Sequence, residues 1–171
     1  MASVLNGWAR SRQRDDDGQL EQTRRSIELA EATGSVSPTW LLLPLADEYA
    51  RFGRTDECAA LIDKMLERVE MGQRWQEADI YRLKAEMLLA QGESHTAEAE
   101  VCLRKAIDVA RGQSARWWEL RATVSLARLL DRTDRRDEAR AMLAEIYNWF
   151  TEGFDTADLK DAKALLEELS A

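Results

Sequence analysis

The chain predicts an all-α fold, a right-handed α-solenoid of about four stacked helix pairs closed by a C-terminal capping helix. Three observations predict it. Gly34, Gly72, Gly112 and Gly153 recur at intervals of 38, 40 and 41 residues, and each closes an amphipathic stretch. Small residues Gly7, Ala46, Ala85 and Ala127 recur at 39, 39 and 42 residues. Seven residues after each of these comes a turn position: Arg14, Gly53, Gly92 and Asp134. Self-similarity at about forty residues marks helix pairs that bury their apolar faces only by stacking on one another.

The repeat divides one 171-residue domain into units of approximately 1–34, 35–72, 73–112 and 113–153, with a cap helix at 155–170. Unit one departs from the pattern: Arg10, Arg14, Gln19, Thr23 and Ser26 occupy places that want apolar or small residues. It reads either as an atypical terminal repeat or as one cut from a longer array. In unit two, Ser37-Pro38 reads as an N-cap followed by a first-turn proline. Pro44 should kink its helix or mark a late start. Thr55-Asp56-Glu57 places a cap and two acids at a positive helix end, and Asp134 with Asp137 and Asp155 with Asp158 repeat the device. The turn of unit three, Gly92-Glu93-Ser94-His95-Thr96, carries two extra residues, because its second-helix small residue, Ala99, comes fourteen rather than twelve residues after Ala85. The cap helix sets Leu159, Ala162, Leu165, Leu166 and Leu169 on one face and Lys160, Asp161, Glu167 and Glu168 on the other, towards solvent.

Within units two and four the match is closer. Leu45, Ala46, Tyr49, Gly53, Cys58, Ile62 and Met65 fall at the same offsets as Leu126, Ala127, Leu130, Asp134, Ala139, Leu143 and Ile146. In unit three Ala99, Leu103 and Ala106 supply the second-helix stripe. Two antiparallel helices cross where side chains are smallest, and bulkier neighbours fill the gap to the next pair. The spacing is similar to that of the tetratricopeptide repeat.

Composition excludes several classes. With 45% hydrophobic residues the chain can bury a continuous core. No stretch approaches the length and apolarity of a membrane helix, and no signal peptide opens the chain. Cys58 and Cys102 fall at buried positions of different units and read as reduced core residues of a cytoplasmic protein. A net charge of −8 argues against nucleic acid. The one basic concentration, Arg128, Arg132, Arg135, Arg136 and Arg140, is interleaved with Asp131, Asp134, Asp137 and Glu138 and reads as a salt-bridged turn.

No catalytic or cofactor constellation emerges. The single histidine, His95, forms an H-x-x-E pair with Glu98, short of the four ligands that a structural metal site wants. There is no Gly-rich phosphate loop. Asp15-Asp16-Asp17 reads as a turn with N-capping acids. Neither an enzyme, a metal nor a cofactor is expected. Of the six tryptophans, Trp40, Trp75, Trp117 and Trp118 lie three to six residues after a unit-closing glycine. They read as plugs in the seam between units, with groove anchors as the functional alternative.

Longer runs carry a family resemblance. WQEADIYRLKAEMLLAQG (75–92), EAEVCLRKAIDVAR (98–111), WWELRATVSLARLLD (117–131) and EIYNWFTEGFDTADLKDAKALLEEL (145–169) resemble the C-terminal tetratricopeptide-like region of large bacterial signalling proteins. In that family a nucleotide cyclase or winged-helix domain precedes a P-loop ATPase and then the helical array. The resemblance implies a regulatory or docking region in signal transduction; the cyclase and ATPase motifs are absent from this chain.

Counting from each small residue, the first helices should present Trp40, Leu43, Asp47 and Arg51 to a concave groove in unit two, Arg82, Glu86 and Leu89 in unit three, and Arg121, Val124, Arg128 and Arg132 in unit four. Five arginines on that face of an acidic chain suit a protein or peptide partner bearing carboxylates, or upstream domains of the same polypeptide. Two alternatives stand beside this reading. One is a small-molecule effector domain with a cavity lined by Trp8, Trp40 and Leu43; the other is a homodimer through Val4, Leu5 and Trp8.

Overall fold

A computed structural model describes residues 17–33 and 39–171, apart from the side chains of residues 17–20, 30, 31 and 40. The described residues form eight α-helices and no strand. The fold is all-α, as the forty-residue period requires. The chain divides into two compact units, Met1–Gln76 and Glu77–Ala171. Residues 1–16, with the small residue Gly7, the turn position Arg14 and the dimer surface at Val4, Leu5 and Trp8, lie outside the described residues, as does the Ser37-Pro38 cap.

The first unit contains α1 (Asp17–Ala32), α2 (Thr39–Arg51) and α3 (Thr55–Glu70). Its core is Ile27, Leu42, Leu45, Ala46, Tyr49, Cys58, Ile62 and Met65. Thr23, expected to sit poorly, is buried beside them. The helix α2 begins at Thr39, so Pro44 does not delay it; the ring lies inside the helix. Proline there removes one intrahelical hydrogen bond. The Thr39 hydroxyl donates to the Gln73 amide oxygen at 3.2 Å, tying the start of α2 to the turn after α3.

The second unit contains α4 (Glu77–Gln91), α5 (Thr96–Gly112), α6 (Arg116–Arg132), α7 (Arg136–Tyr147) and α8 (Ala157–Ser170). A 3₁₀ turn, Glu93–His95, joins α4 to α5 and accommodates the two extra residues. Each helix packs on the next, and α4, α6 and α8 also pack on one another in sequence, forming one layer. The small residues Ala85, Ala99, Ala127 and Ala139 are at most 1% exposed, and Leu103, Leu126, Leu130 and Leu143 are fully buried around them. Full burial of one such leucine contributes roughly 2 kcal/mol. Leu159, Ala162, Leu165 and Leu169 of α8 are buried as the cap pattern predicts. The Arg136 guanidinium donates to the carbonyls of Leu169 and Glu168, so α7 closes the C-terminal end of α8.

Four inter-helix turns share one closure. The N–H of Arg54 donates to the Tyr49 carbonyl, Gln73 to Arg68, Ala115 to Ala110 and Arg135 to Leu130, each at 2.9 Å. The residue before each donor is left-handed: Gly53, Gly72, Ser114 and Asp134. Gly112, expected to mark the end of unit three, is instead the last residue of α5. Ser114 takes the left-handed position, with φ 55°. The closure also moves the caps. Thr55 and Asp134, read as N-caps, are not; Arg54, Ala115 and Arg135 hold those positions, and none makes a side-chain capping hydrogen bond. The cap falls on whichever residue follows the left-handed one. At α8 the cap is Thr156 rather than Asp155. The acids remain in the first turns: Asp56 and Glu57, Asp137 and Glu138, and Asp158.

The basic concentration around residue 135 is salt-bridged to the interleaved Asp131, Asp137 and Glu138, and also to Glu100 and Asp161 of other helices. Glu100 of α5 accepts from Arg104 at 2.7 Å and from Arg135 at 2.9 Å; Glu138 of α7 accepts from Arg104 at 2.8 Å. Arg135 and Glu138 close the ring at 2.8 Å. Hydrogen bonds from Arg104 and then Arg135 hold the Glu138 carboxyl below the usual range. Burial works to raise Glu100, but the same two arginines outweigh it and leave its pKa lowered.

Two predictions follow the turn and the ring. Relieving a left-handed side chain gains about 1–2 kcal/mol, and glycine returns about 0.5–1 kcal/mol through the freer unfolded chain. Ser114→Gly should therefore raise unfolding stability in urea by roughly 0.5–1 kcal/mol. Lowered carboxylates stabilise above the ordinary glutamate value of 4.5, and that contribution is lost as pH falls through their folded-state values. Denaturation followed across acid pH should thus show a shallower fall for Glu100→Gln/Glu138→Gln than for the wild type.

Candidate functional site

On α4, Arg82, Glu86, Leu89 and Ala90 form one stripe; on α6, Arg121, Ser125, Arg128 and Arg132 form another at i, i+4, i+7 and i+11. Because α4 and α6 are neighbours in one layer, the two stripes face across a groove, and α8 borders it with Asp158 and Asp161. The structure thus brings together Arg82, Glu86, Arg121, Arg128 and Arg132 with Leu89 and Val124. In the first unit, Leu43 and Asp47 are half-buried, and Arg51 is exposed with its guanidinium 3.1 Å from the buried Glu48 carboxylate. Of the effector cavity proposed from Trp8, Trp40 and Leu43, only the Leu43 side chain is described.

The groove arginines differ sharply in what holds them. Arg82 is 5% exposed and bonds the Asp79 carboxylate at 2.5 Å and the Glu86 carboxylate at 2.6 Å. The other Asp79 oxygen accepts from Arg121 across the helix pair at 2.8 Å. The Ser125 hydroxyl donates to Glu86 at 2.9 Å, a second tie between α4 and α6. Asp79 is itself buried, so this end of the groove is a closed network. Arg82 and Arg121 are thus both paired to a carboxylate of the chain. Arg128 pairs at 2.5 Å with Asp161, both nearly half exposed. Asp161, placed on the solvent face of the cap helix by its sequence pattern, therefore turns towards the groove.

Arg132 differs. Among the described residues it is in no ion pair, and it stands where the groove opens into a cleft of about 400 Å³ between Leu89, Leu129, Thr133, Gly92, Glu93 and Thr96. A contiguous cleft of about 340 Å³ adds Glu86, Ala90, Ser125 and Arg128. The lining mixes Leu89 and Leu129 with Thr96, Thr133 and Glu93, and a cation in no ion pair among the described residues suits a carboxylate with an attached apolar group.

Sequence spacing missed Asp79, Ser125 and Asp161. Asp79 carried a signal, three residues before Arg82 on the same helix. The pairing of Asp161 with Arg128 carried none, since it depends on how α8 docks. The tryptophans also differ from expectation. Trp75 is 53% exposed and Trp117 37%, so neither is a fully buried plug. Among the described residues, no three His, Cys, Asp or Glu side chains stand together in a way that holds a metal ion. His95 sits half-buried in the 3₁₀ turn. Cys58 and Cys102 are buried free thiols, and burial pushes the Cys102 thiol up. No described helix is long and apolar enough to cross a membrane.

The tetratricopeptide repeat profile matches residues 39–64 and 120–145. These segments fall on the α2–α3 and α6–α7 pairs, the same two pairs whose internal offsets agree. The chain therefore contains a tetratricopeptide-like region, with one matched repeat in each compact unit. Comparison with curated proteins and with solved structures gave no match.

Removing the shared anion at Asp79 would take one carboxylate from buried Arg82, leaving it Glu86, and would take the ion pair from Arg121. Breaking such a pair costs about 3–5 kcal/mol when both partners are buried. Arg121 is partly solvated, so Asp79→Asn should lower stability by roughly 2–3 kcal/mol, and Arg128→Ala by less than about 0.5 kcal/mol, in urea denaturation.

Proposed function

We propose that the chain is a non-catalytic protein-interaction module whose second-unit groove binds an extended segment or helix of a partner through a carboxylate at Arg132. Tetratricopeptide repeats generally mediate protein binding, and the two matched segments support that class. The observation that carries the finer reading is the state of Arg132: a cation in no ion pair among the described residues, above Leu89 and Leu129, while Arg82 and Arg121 are already satisfied. A bound carboxylate gains a charge-assisted hydrogen bond there without displacing an internal partner. Arg128 serves as the second contact, because its exposed pair with Asp161 costs little to open. The partner in this reading is a signalling component of the cytoplasm, including domains joined to this array, a choice that rests on the resemblance to the helical region of bacterial signalling proteins.

Capture from cell lysate distinguishes this site from others. Arg82→Glu is a poor probe, since it would bury unpaired charge and damage the fold. Arg132→Glu/Arg128→Glu should fold with unchanged circular dichroism and lose the partner retained by the wild type, with affinity down at least about tenfold. Equal retention by the folded double variant would place binding elsewhere.

A further inference from the structure

A second surface of unit Glu77–Ala171 uses none of the groove arginines. The first turn of α6 and the chain after α7 bring together Trp117 and Trp149, which are 37% and 56% exposed. Phe150 stands between the two indoles, 5.8 Å from Trp117 at 81° and 5.2 Å from Trp149 at 85°. Both indoles pack edge-to-face with Phe150 and remain partly exposed. The strip is also held in place: buried Glu119 accepts from Arg111 at 2.7 Å and from Arg116 at 2.6 Å, and the Arg116 guanidinium lies over Trp149 at 5.6 Å. Glu119 offsets one of the two neighbouring positive charges. Beside it, Glu152 and Asp155 are exposed and form no ion pair among the described residues. The indole N–H groups of Trp117 and Trp149 likewise donate to no protein acceptor among the described residues.

We infer that this strip docks a proline-rich segment in the polyproline II conformation with basic residues at its ends. Such a helix has no internal hydrogen bonds, so its carbonyls accept from outside donors, here the two indole N–H groups. It returns a side chain to one face every three residues, about 9 Å. That repeat is within reach of the two ring steps leading from Trp117 through Phe150 to Trp149. Flat pyrrolidine rings pack against the exposed parts of the two indoles, and the preformed helix loses little entropy on binding. Charge complementarity sets the ends: Glu152 and Asp155 favour lysine or arginine next to the prolines and disfavour an acidic ligand. The same acids and the net charge of −8 oppose the stacking of nucleic-acid bases on these rings.

The test is a titration of the ¹⁵N-labelled chain with an octaproline peptide flanked by arginines, beside its octaalanine counterpart. The indole N–H resonances of Trp117 and Trp149 should shift with the proline peptide alone. Trp149→Ala, at an exposed site, should keep the wild-type circular dichroism and weaken binding about tenfold or more. Glu152→Lys/Asp155→Lys should weaken it about threefold at low salt and less at high salt. Stationary indole signals, an equal response to the alanine peptide, or unchanged affinity in Trp149→Ala would each overturn the assignment. So would concentration-dependent indole shifts without peptide that vanish in Trp149→Ala, which would give the strip to a second copy of the chain.

Discussion

Where α2 crosses α3, the Cys58 thiol meets the Ala46 carbonyl at 3.4 Å, with no larger side chain between the two backbones. That approach is the constraint on which the rest depends. Ala85 with Ala99 and Ala127 with Ala139 stand at the corresponding positions, all essentially inaccessible. Close crossing fixes the pitch of each pair, and the pitch decides which residues remain to fill the space beyond it: Ile62 and Met65, Leu103 and Ala106, Leu143 and Ile146. A larger residue at one of these sites forces helices apart over their whole length, because packed interiors transmit strain rather than absorb it.

The same constraint explains what could be read in advance. The small-residue offsets, the stripes and the cap helix follow from side-chain volume and periodicity, and these are properties of the residues themselves. The 3₁₀ turn at Glu93–His95 was legible for the same reason, as a count of inserted residues. The turns were harder. Gly112 looked like the terminator, yet the six-to-one bond from Ala115 to Ala110 puts the left-handed residue at Ser114. Backbone closure, not the presence of glycine, sets the position, and serine tolerates it at a cost.

The candidate site was legible as a set of positions and illegible as a set of charges. Helical spacing placed Arg82, Arg121, Arg128 and Arg132 along one groove. Which of them are engaged depends on carboxylates that reach them from within the helix, from the neighbouring helix, or from the cap. Asp79 belongs to the first two cases, serving Arg82 at i+3 and Arg121 from α4 to α6. Asp161 belongs to the third. Only the fold sorts one row of arginines into a structural end and an open end. The electrostatic ring of Glu100, Arg104, Arg135 and Glu138 adds to this: Arg135 and Glu138, read as part of a salt-bridged turn, also tie α5 to α7.

Asp79 has a further consequence for any anion that enters the groove. It is a tethered competitor, permanently present at Arg82 and Arg121 at an effective concentration that a free ligand does not approach. An incoming carboxylate is excluded there by mass action and finds its opening only towards Arg132. A chain lying between α4 and α6 is thereby oriented end to end: its acidic terminus is directed to the 3₁₀ turn, and its neutral portion lies over the sealed network. Under the proposed function the groove has a reading direction, set by a residue that need never touch what it orients.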